Sequence, residues 1–273
     1  MTIVEPALRS WFGRHPVLKD VVKRMVAPLR GGISSGYQRI APDGPLAQSA
    51  ELRNAWQNKS IPAAQRRLVD GQLAAFRAGA SIPVFDSLVR LLEPLVASLS
   101  STEPVKLLEI GCSSGYHVEV LRHRGVRVAY EGCDYSPSFV EQARHYYPGV
   151  PFSVADATSL PMPSDSVDIV LSGCCLLHIP EYEEAIKESA RIARRFVVFH
   201  RTPVLHNVAT THYRKRAYGV ETIEIHFNEE EFVGLVAKHG LRIIGVTTLD
   251  VAWRRGAMYA TKEYVCEKAG SVV

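Results

Sequence analysis

The chain contains 273 residues, of which 47% are hydrophobic and 22% are charged, so it is not a disordered segment and can form one large domain with an appendage. Its net charge of +4 is too small to call for a nucleic-acid partner. No stretch approaches the roughly 20 apolar residues of a membrane span, and the N-terminus lacks a signal peptide, so a cytoplasmic protein is predicted.

Residues 1–102 are predicted to form an N-terminal helical cap or lid. Apolar residues recur at helical spacing from 16 to 26, and an amphipathic helix packed on its own domain is preferred there over one that lies on a membrane surface or against a partner. Residues 31–50 are rich in Gly, Pro and Ser, which predicts a loop or mobile lid. Tyr37 in this loop and Trp56 after it are candidate substrate contacts, with plain packing as the alternative.

Two helices are predicted between this loop and the main domain. Pro62 begins the first, which ends near Ala78. Pro83 begins the second, whose leucine stripe predicts a core-facing surface, and Pro94 predicts a kink or a split within it. The main domain is expected to begin at residue 103.

The sequence V-K-L-L-E-I-G-C-S-S-G at 105–115 predicts a buried strand, a tight turn and a following helix. Small residues from Gly111 to Gly115 let the backbone approach a ligand closely. The carboxylate of Glu109 at the strand end repels a pyrophosphate but suits a ligand that carries an ammonium group. The turn is therefore predicted to face an amino-acid-like ligand.

Two further acids end the next predicted strands. Asp134 closes the second strand, nineteen residues after Gly115, where a carboxylate can accept both hydroxyls of a ribose. Asp156 closes the third strand. An acid after each of three strands, with a glycine turn after the first, is the set of groups that a nucleoside joined to an amino acid requires.

Together these segments resemble the class I S-adenosylmethionine-dependent methyltransferases over roughly residues 103–250. E-I-G-C-S-S-G at 109–115 matches their first motif, although Ser113 stands where the middle glycine is usual. L-L-H-I-P at 176–180 matches the turn after their fourth strand. A dinucleotide-binding motif fits less well, because its third glycine would fall on Tyr116.

The resemblance implies an α/β, doubly wound Rossmann-like sheet of seven mostly parallel strands with an antiparallel last strand. Later segments follow this plan with buried strands, amphipathic helices and a C-terminal hairpin. An insertion at 201–228 interrupts the rhythm, and substrate choice is expected there. The predicted elements are strands 167–172, 195–200, 241–249 and 258–267 and helices 181–193 and 228–239.

The resemblance also implies S-adenosyl-L-methionine as cofactor and S-adenosyl-L-homocysteine as its product. Glu109 would hold the methionine ammonium group and Asp134 the ribose. Asp156 would meet the adenine amino group. The remaining expected cofactor contacts are Gly111, Ser113, Gly115, Tyr135, Ala157, Gly173 and Cys174.

Catalysis requires an aligned acceptor atom and, where the acceptor is protonated, a base. His178 is the first candidate base and His200 the second, while a purely structural role stays open for His178. Arg201, His206 and Tyr213 in the insertion are the candidate substrate contacts. The cations of the insertion either grip an anionic substrate or form a solvated face. They are Arg201, Arg214, Lys215 and Arg216.

No pair of cysteines has the two-residue spacing of a zinc or redox site, so reduced thiols and no metal are expected. The sequence therefore predicts a cytoplasmic methyltransferase that acts on an O or N atom of a small molecule, with a homodimer possible. A methyltransferase acting on RNA or protein and a non-catalytic nucleoside-binding scaffold are the alternatives.

Overall fold

The computed structural model describes residues 34–41, 46–99, 102–254 and 257–270. The amphipathic helix predicted at 16–26 lies outside the described residues.

The described chain begins with a strand, β1, at Ser34–Arg39. The prediction of a loop or lid over 31–50 is wrong for these residues, because β1 pairs in antiparallel fashion with a strand of the insertion. Pro94 lies inside a helix that runs without interruption, so the predicted split does not occur. The helices that follow β1 are α1 at Leu46–Asn54, α2 at Ile61–Arg77 and α3 at Pro83–Leu99.

Strands and helices alternate in the middle of the chain, as the apolar runs predict. Asn228 accepts a hydrogen bond from the backbone N–H of Glu231 at 2.9 Å and so caps the last helix, as its sequence predicts. The elements are β2 at Lys106–Ile110, α4 at His117–His123, β3 at Ala129–Asp134, α5 at Pro137–Tyr146, β4 at Phe152–Val154, β5 at Val167–Gly173, α6 at Tyr182–Ile192, β6 at Ala193–His206, β7 at Thr211–Ala217, β8 at Val220–Asn228, α7 at Glu229–Lys238, β9 at Leu241–Arg254 and β10 at Ala257–Lys268.

The central sheet has the order β4, β3, β2, β5, β6, β10, β9. The first five of these strands pair in parallel, and β10 pairs in antiparallel fashion with both β6 and β9. The prediction of a mostly parallel sheet with an antiparallel last strand therefore agrees with the pairing.

The count of seven strands describes this central order but not the whole sheet, because β8, β7 and β1 join it and give ten strands over the described residues. The predicted insertion at 201–228 is not irregular: β7 and β8 form an antiparallel hairpin, and β1 pairs with β7. The end of β6 pairs in parallel with β8 at Val204 and Leu205. The sheet thus branches, since the first half of β6 lies beside β5 and its second half lies beside β8.

Helices cover both faces of the central sheet, because successive strand residues point to opposite sides. Leu107 and Ile169 pack with α2, α3, α4 and α5, whereas Leu108 and Val170 pack with α6 and α7. The N-terminal helices α2 and α3 share the first of these cores with the sheet. The boundary at residue 102 between a cap and the main domain stays a prediction.

Candidate functional site

A cavity of about 670 Å³ opens at the carboxyl ends of β2, β3, β5 and β6. Ligands of open parallel sheets bind at such an edge. Residues from β1, from the turn after α1 and from the β7–β8 hairpin close its opposite side. The residues predicted from the sequence that line it are Tyr37, Trp56, Glu109, Gly111, Ser113, Asp134, Tyr135, Ala157, Gly173, Cys174, His178 and Arg201.

The turn after β2 needs glycine at its first position. Gly111 has φ of +67°, and a Cβ atom there would lie 2.4 Å from Cys175 Sγ. Ser113 lines the cavity with φ of +48°. Gly115 is not in the cavity wall, since its Cα faces the Phe152 ring, which a Cβ would approach to 2.6 Å. Gly115 thus shapes the turn from behind.

Glu109 is buried below the turn, with 1% of its surface exposed. His117 Nδ1 lies 2.7 Å from its Oε1, and the Tyr130 hydroxyl donates a hydrogen bond to its Oε2. Gly173 leaves room for this carboxylate, since a Cβ at that position would lie 2.6 Å from Glu109 Oε1. The carboxylate is therefore held rigidly at the cavity wall.

Asp134 is held by backbone donors at the end of β3. The N–H groups of Ser113 and Ser136 donate to its two oxygens at 2.8 and 2.9 Å. Burial raises the pKa of Asp134 to about 6, with a smaller contribution from Glu109, although both hydrogen bonds oppose this shift. Asp134 is therefore largely a carboxylate at neutral pH, with its orientation fixed.

Asp156 does not line the cavity and contacts the N-terminal helix α1 instead. Its Oδ1 accepts hydrogen bonds from Arg53 Nη2 at 2.6 Å and from the Thr158 N–H and hydroxyl at 2.9 and 2.7 Å. Burial acts to raise the pKa of Asp156, but the Thr158 and Arg53 contacts outweigh it and the pKa lies below its ordinary value. Its neighbour Ala157 is the residue of this pair that lines the cavity.

His178 lines the cavity in the short helical turn Leu176–His178. Its Nδ1 lies 2.7 Å from the Ile223 carbonyl oxygen, which can only accept, so Nδ1 carries the proton and Nε2 bears the lone pair. Burial, with help from the Lys215 ammonium, lowers the pKa of His178 to about 4. The ring of Trp56 lies beside it, with 4.5 Å between centroids. His178 is therefore a neutral imidazole with a fixed tautomer.

The prediction of His200 as an alternative base is corrected by its position. The ring is 2% exposed and does not line the cavity. Its Nε2 lies 3.2 Å from Ser87 Oγ of α3 and 3.0 Å from Glu263 Oε1 of β10. Burial lowers the pKa of His200. His200 thus joins α3 to the sheet and cannot reach an acceptor in the cavity.

Two of the predicted substrate contacts also lie outside the cavity wall. His206 is exposed at the end of β6, where the strand has passed the cavity. Tyr213 on β7 contacts the ring of Tyr37 edge-on at 5.9 Å, so it supports a cavity residue from behind. Arg201 alone of the three predicted contacts in the insertion lines the cavity.

The strand pairing brings further residues to the cavity that the sequence did not single out. They include the tyrosines at positions 116, 218 and 259 and the buried carboxylate of Glu224. Tyr218 and Gly219 both have positive φ, at 52° and 87°, and form the two-residue turn between β7 and β8. An alternating strand pattern on each side of Tyr-Gly is the signal that could have revealed this hairpin.

Glu224 forms the centre of a buried ionic cluster on the hairpin. Its carboxylate accepts hydrogen bonds from Lys215 Nζ, from His226 Nε2 at 2.8 Å and from the Tyr37 hydroxyl at 3.1 Å. Burial acts to raise the pKa of Glu224, but His226 and Lys215 hold it well below its ordinary value. Lys215 is therefore neutralised within the protein, although it lines the cavity.

Comparison with known proteins agrees with this architecture. A model of the methyltransferase domain matches residues 108–199. Residues 108–199 thus form a methyltransferase domain of the class I S-adenosylmethionine-dependent type. The resemblance seen in the sequence is thus confirmed, and S-adenosylmethionine is the cofactor of this fold.

Relatives of this methyltransferase chain match it over part of their length. It is 29% identical to a trans-aconitate 2-methyltransferase of Methylobacterium nodulans over 119 residues, which are 44% of the chain and 46% of that relative. It is 27% identical to a ubiquinone/menaquinone biosynthesis C-methyltransferase of Campylobacter jejuni over 105 residues, which are 37% and 45% of the two chains. The chain thus spans less than half the length of these relatives.

The fold is similar to that of 1,6-didemethyltoxoflavin-N1-methyltransferase from Burkholderia thailandensis, solved with 1,6-didemethyltoxoflavin and S-adenosylhomocysteine. The TM-score is 0.56 at 17% identity, over 85% of this chain and 95% of that one. No helix among the described residues is long and apolar enough to cross a membrane. The described residues also contain no group of three His, Cys, Asp or Glu side chains that could hold a metal ion.

The side chains of the methyltransferase cavity fit the charge of S-adenosylmethionine. Glu109 and Asp134 place two carboxylates in one wall, beside the bare backbone of the turn at Gly111. The ligand has a cationic sulfonium, an ammonium group and two ribose hydroxyls, for which carboxylate oxygens are suitable partners. Both carboxylates already have fixed orientations, which lowers the cost of binding.

Proposed function

We propose that this chain transfers the methyl group of S-adenosylmethionine to an oxygen or nitrogen atom of a small molecule. One observation carries the proposal: a single cavity joins the carboxylates of Glu109 and Asp134 to a neutral, oriented His178. The carboxylates suit the methyl donor, and the imidazole suits removal of a proton from the acceptor. Both requirements of methyl transfer would thus be met within one space.

The residues of the sheet edge would hold the cofactor. Glu109 would bind the methionine ammonium group and Asp134 the ribose hydroxyls, with the backbone of Gly111 and Ser113 between them. Ala157 would lie beside the adenine ring and Cys174 beside the sulfur. When bound, S-adenosylmethionine supplies a methyl carbon that its sulfonium has already activated.

His178 would accept the proton that an acceptor hydroxyl or amine loses. Its Nδ1–H is occupied by the Ile223 carbonyl, so the lone pair on Nε2 is the available one, and no described residue hydrogen-bonds this atom. With a pKa of about 4, the ring is neutral and ready at pH 7. It is a weak base, so the proton would move as the acceptor atom develops positive charge rather than beforehand.

The size of the cavity supports a small acceptor over a macromolecule. Its volume of about 670 Å³ lies within the range of about 300–1,000 Å³ for small-molecule sites and must hold the cofactor as well. The hairpin and Trp56 cover the side opposite the sheet. The name of one relative, a trans-aconitate 2-methyltransferase, also favours a small molecule. A methyltransferase for RNA or protein stays the alternative.

Calorimetry with S-adenosylmethionine and S-adenosylhomocysteine tests the donor half of the proposal. Both should bind the wild-type chain, and Asp134→Asn should weaken binding about 10- to 100-fold, because two hydroxyls lose a charged acceptor. Asp165→Asn is the matched control, since this aspartate contacts Lys268 outside the cavity. Release of S-adenosylhomocysteine with a panel of metabolites then tests transfer. A wild-type chain that binds neither compound contradicts the proposal.

A further inference from the structure

Arg201 differs from the other cations that line the cavity, Arg53 and Lys215, because it has no partner among the described residues. It lines the cavity and is half-buried, yet no described residue accepts a hydrogen bond from its guanidinium group or forms an ion pair with it. Lys215, a cation of the β7–β8 hairpin in the same wall, is paired with Glu224. A guanidinium group has five N–H donors and remains charged in proteins. Arg201 therefore presents unsatisfied donors and a full positive charge to the cavity.

The backbone at Arg201 is strained in a way that aims this side chain. His200 and Arg201 together lie opposite Glu263, because Phe199 pairs with Tyr264 and Thr202 with Lys262, so β6 bulges here. Arg201 is the bulged residue with φ of +61°. Bulges beside binding sites redirect a side chain out of the strand alternation. This bulge turns Arg201 into the cavity while His200 stays buried behind it.

The distribution of left-handed backbone supports a functional reason for this strain. Six described residues other than glycine have positive φ. Two of them, Asp165 and Asn207, lie outside the cavity wall and belong to the types that tolerate this region. The other four all line the cavity, and none is Asp or Asn. They are Ser113, Cys174, Arg201 and Tyr218. Left-handed backbone at residues other than Gly, Asn and Asp is strained, and such strain is typical of binding sites.

Arg201 is adjacent to the place proposed for the sulfur atom of the cofactor. The N–H of Cys174 donates to the carbonyl of His200 at 2.9 Å, and Gly173 pairs with His200 in the parallel register. Cys174 and Arg201 each follow one residue of this pair, so they lie side by side on neighbouring strands. A group bound to Arg201 lies on the same edge as the proposed methyl donor.

The charges of the cavity favour a single negative charge as the partner of Arg201. Lys215 is neutralised by Glu224 and Arg53 by Asp156, so Arg201 is the lining cation among the described residues that remains for a ligand. The carboxylates of Glu109, Asp134 and Asp250 also line the wall and would repel further negative charge. A carboxylate has one charge and two oxygens that match the planar guanidinium fork, whereas a phosphate monoester brings nearly two charges.

We propose that Arg201 binds a carboxylate group of the methyl acceptor, which makes the acceptor a small carboxylic acid. The inference rests on the proposed function, because it concerns the second substrate of the same cavity. Arg201 is then a binding and orienting residue, and the hydroxyls of Tyr218 and Tyr259 in the same wall complete a polar pocket for the acid.

Binding of simple acids by the full chain tests this assignment. Acetate, succinate, benzoate and citrate are titrated into the protein saturated with S-adenosylhomocysteine, and their neutral amides and inorganic phosphate are titrated in parallel. The melting temperature and calorimetry report binding. At least one carboxylate should bind saturably, and its amide at least about tenfold more weakly. The corresponding acids then enter the methyl-transfer assay.

Three variants separate binding from folding. Arg201→Gly relieves the positive φ, so its melting temperature without acid should be at least that of the wild type, while its affinity for carboxylate falls about 10- to 100-fold. Arg201→Lys should retain part of the affinity, because the charge remains but the fork is lost. Arg216→Gly removes an exposed cation of β7 outside the cavity and should leave carboxylate affinity unchanged.

The outcomes distinguish the two proposals. If the protein binds S-adenosylhomocysteine but none of the carboxylates, or binds acids and their amides equally well, the inference is overturned and the proposed function stands. Stronger binding of phosphate than of every carboxylate, or unchanged carboxylate affinity in Arg201→Gly, overturns it as well. A wild-type chain that binds neither S-adenosylmethionine nor S-adenosylhomocysteine overturns both proposals.

Discussion

His178 should make the stability of this protein depend on pH in a way that one substitution removes. The substitution is His178→Asn, because an asparagine amide can still donate to the Ile223 carbonyl but cannot become charged. In the folded chain the pKa of His178 is lowered to about 4, first by burial and then by Lys215. In the unfolded chain its pKa is about 6.5.

The sign and the size follow from proton binding. Between pH 6.5 and 4 the unfolded chain binds a proton at His178 that the folded chain does not, so acid favours unfolding. A shift of this size corresponds to about 3 kcal/mol once the pH reaches 4, and to about 2 kcal/mol at pH 5. Because the ring is half-buried and water reaches part of it, we expect a loss of about 1–2 kcal/mol at pH 5 relative to pH 8.

Urea unfolding of the wild type and of His178→Asn at pH 8 and pH 5 measures how much free energy of unfolding His178 costs at the lower pH. Other groups titrate in the same range, and Asp134 acts in the opposite direction, because its raised pKa of about 6 adds stability as the pH falls through that value. These groups are common to both proteins and cancel in the comparison. The wild type should therefore lose about 1–2 kcal/mol more than His178→Asn between the two pH values.

Equal losses in the two proteins would refute the reasoning, because His178 would then titrate in the folded state as it does in the unfolded one. The imidazole would be open to water, and its tautomer would not be fixed by Ile223. The proposed role of Nε2 as proton acceptor would lose its structural basis.

Two further substitutions test the packing of the cavity walls. Gly173→Ala should weaken binding of S-adenosylhomocysteine at least about tenfold in calorimetry, since the new Cβ would meet Glu109 Oε1 at 2.6 Å, whereas Gly71→Ala, with open space around it, should leave binding unchanged. Lys215→Met should cost about 3–5 kcal/mol in urea unfolding, because the buried Glu224 loses its main counter-charge, and adding Glu224→Gln should restore most of it. Unchanged stability of Lys215→Met would show that His226 alone neutralises the carboxylate.

Much of the central sheet could be predicted from the sequence because its strands are buried on both faces. Apolar runs with an acid or a glycine at or next to their carboxyl ends mark β2 and β5, and β3 ends in Asp134; the turns at the carboxyl ends of these parallel strands must meet at one edge. That local rule is why Glu109 and Asp134 fall in one cavity wall as expected. It depends on no contact between distant parts of the chain.

The parts that the sequence did not predict depend on tertiary pairing. β1 has the sequence S-S-G-Y-Q-R, which contains no β-branched residue, and becomes a strand because the free edge of β7 is available to it. Asp156 is drawn from the cavity by Arg53, which lies 103 positions earlier in the chain. Neither the pairing of β1 with β7 nor the contact between Arg53 and Asp156 can be predicted from a pattern within one segment.

The bulge at His200 and Arg201 could not be predicted from the sequence either. β-Strand periodicity predicts that neighbouring residues point to opposite faces, and this places one of the pair at the cavity without saying which. The register shift opposite Glu263 determines which of the two faces the cavity: His200 is buried, and Arg201 lines the cavity wall. The choice between the two candidate bases therefore required the pairing of β6 with β10.

The branching of the sheet at β6 separates two tasks within one continuous strand. Before Arg201 the strand pairs with β5 beside the proposed cofactor site, and after it the strand pairs with β8 of the hairpin, which covers the space proposed for the acceptor. Exchanging the segment between β6 and α7 would replace the hairpin, including the Ile223 carbonyl that orients His178, and would leave Glu109 and Asp134 in place on the sheet. An enzyme built in this way can alter much of the space proposed for its acceptor through one contiguous stretch of chain, while the residues proposed for the methyl donor stay in place.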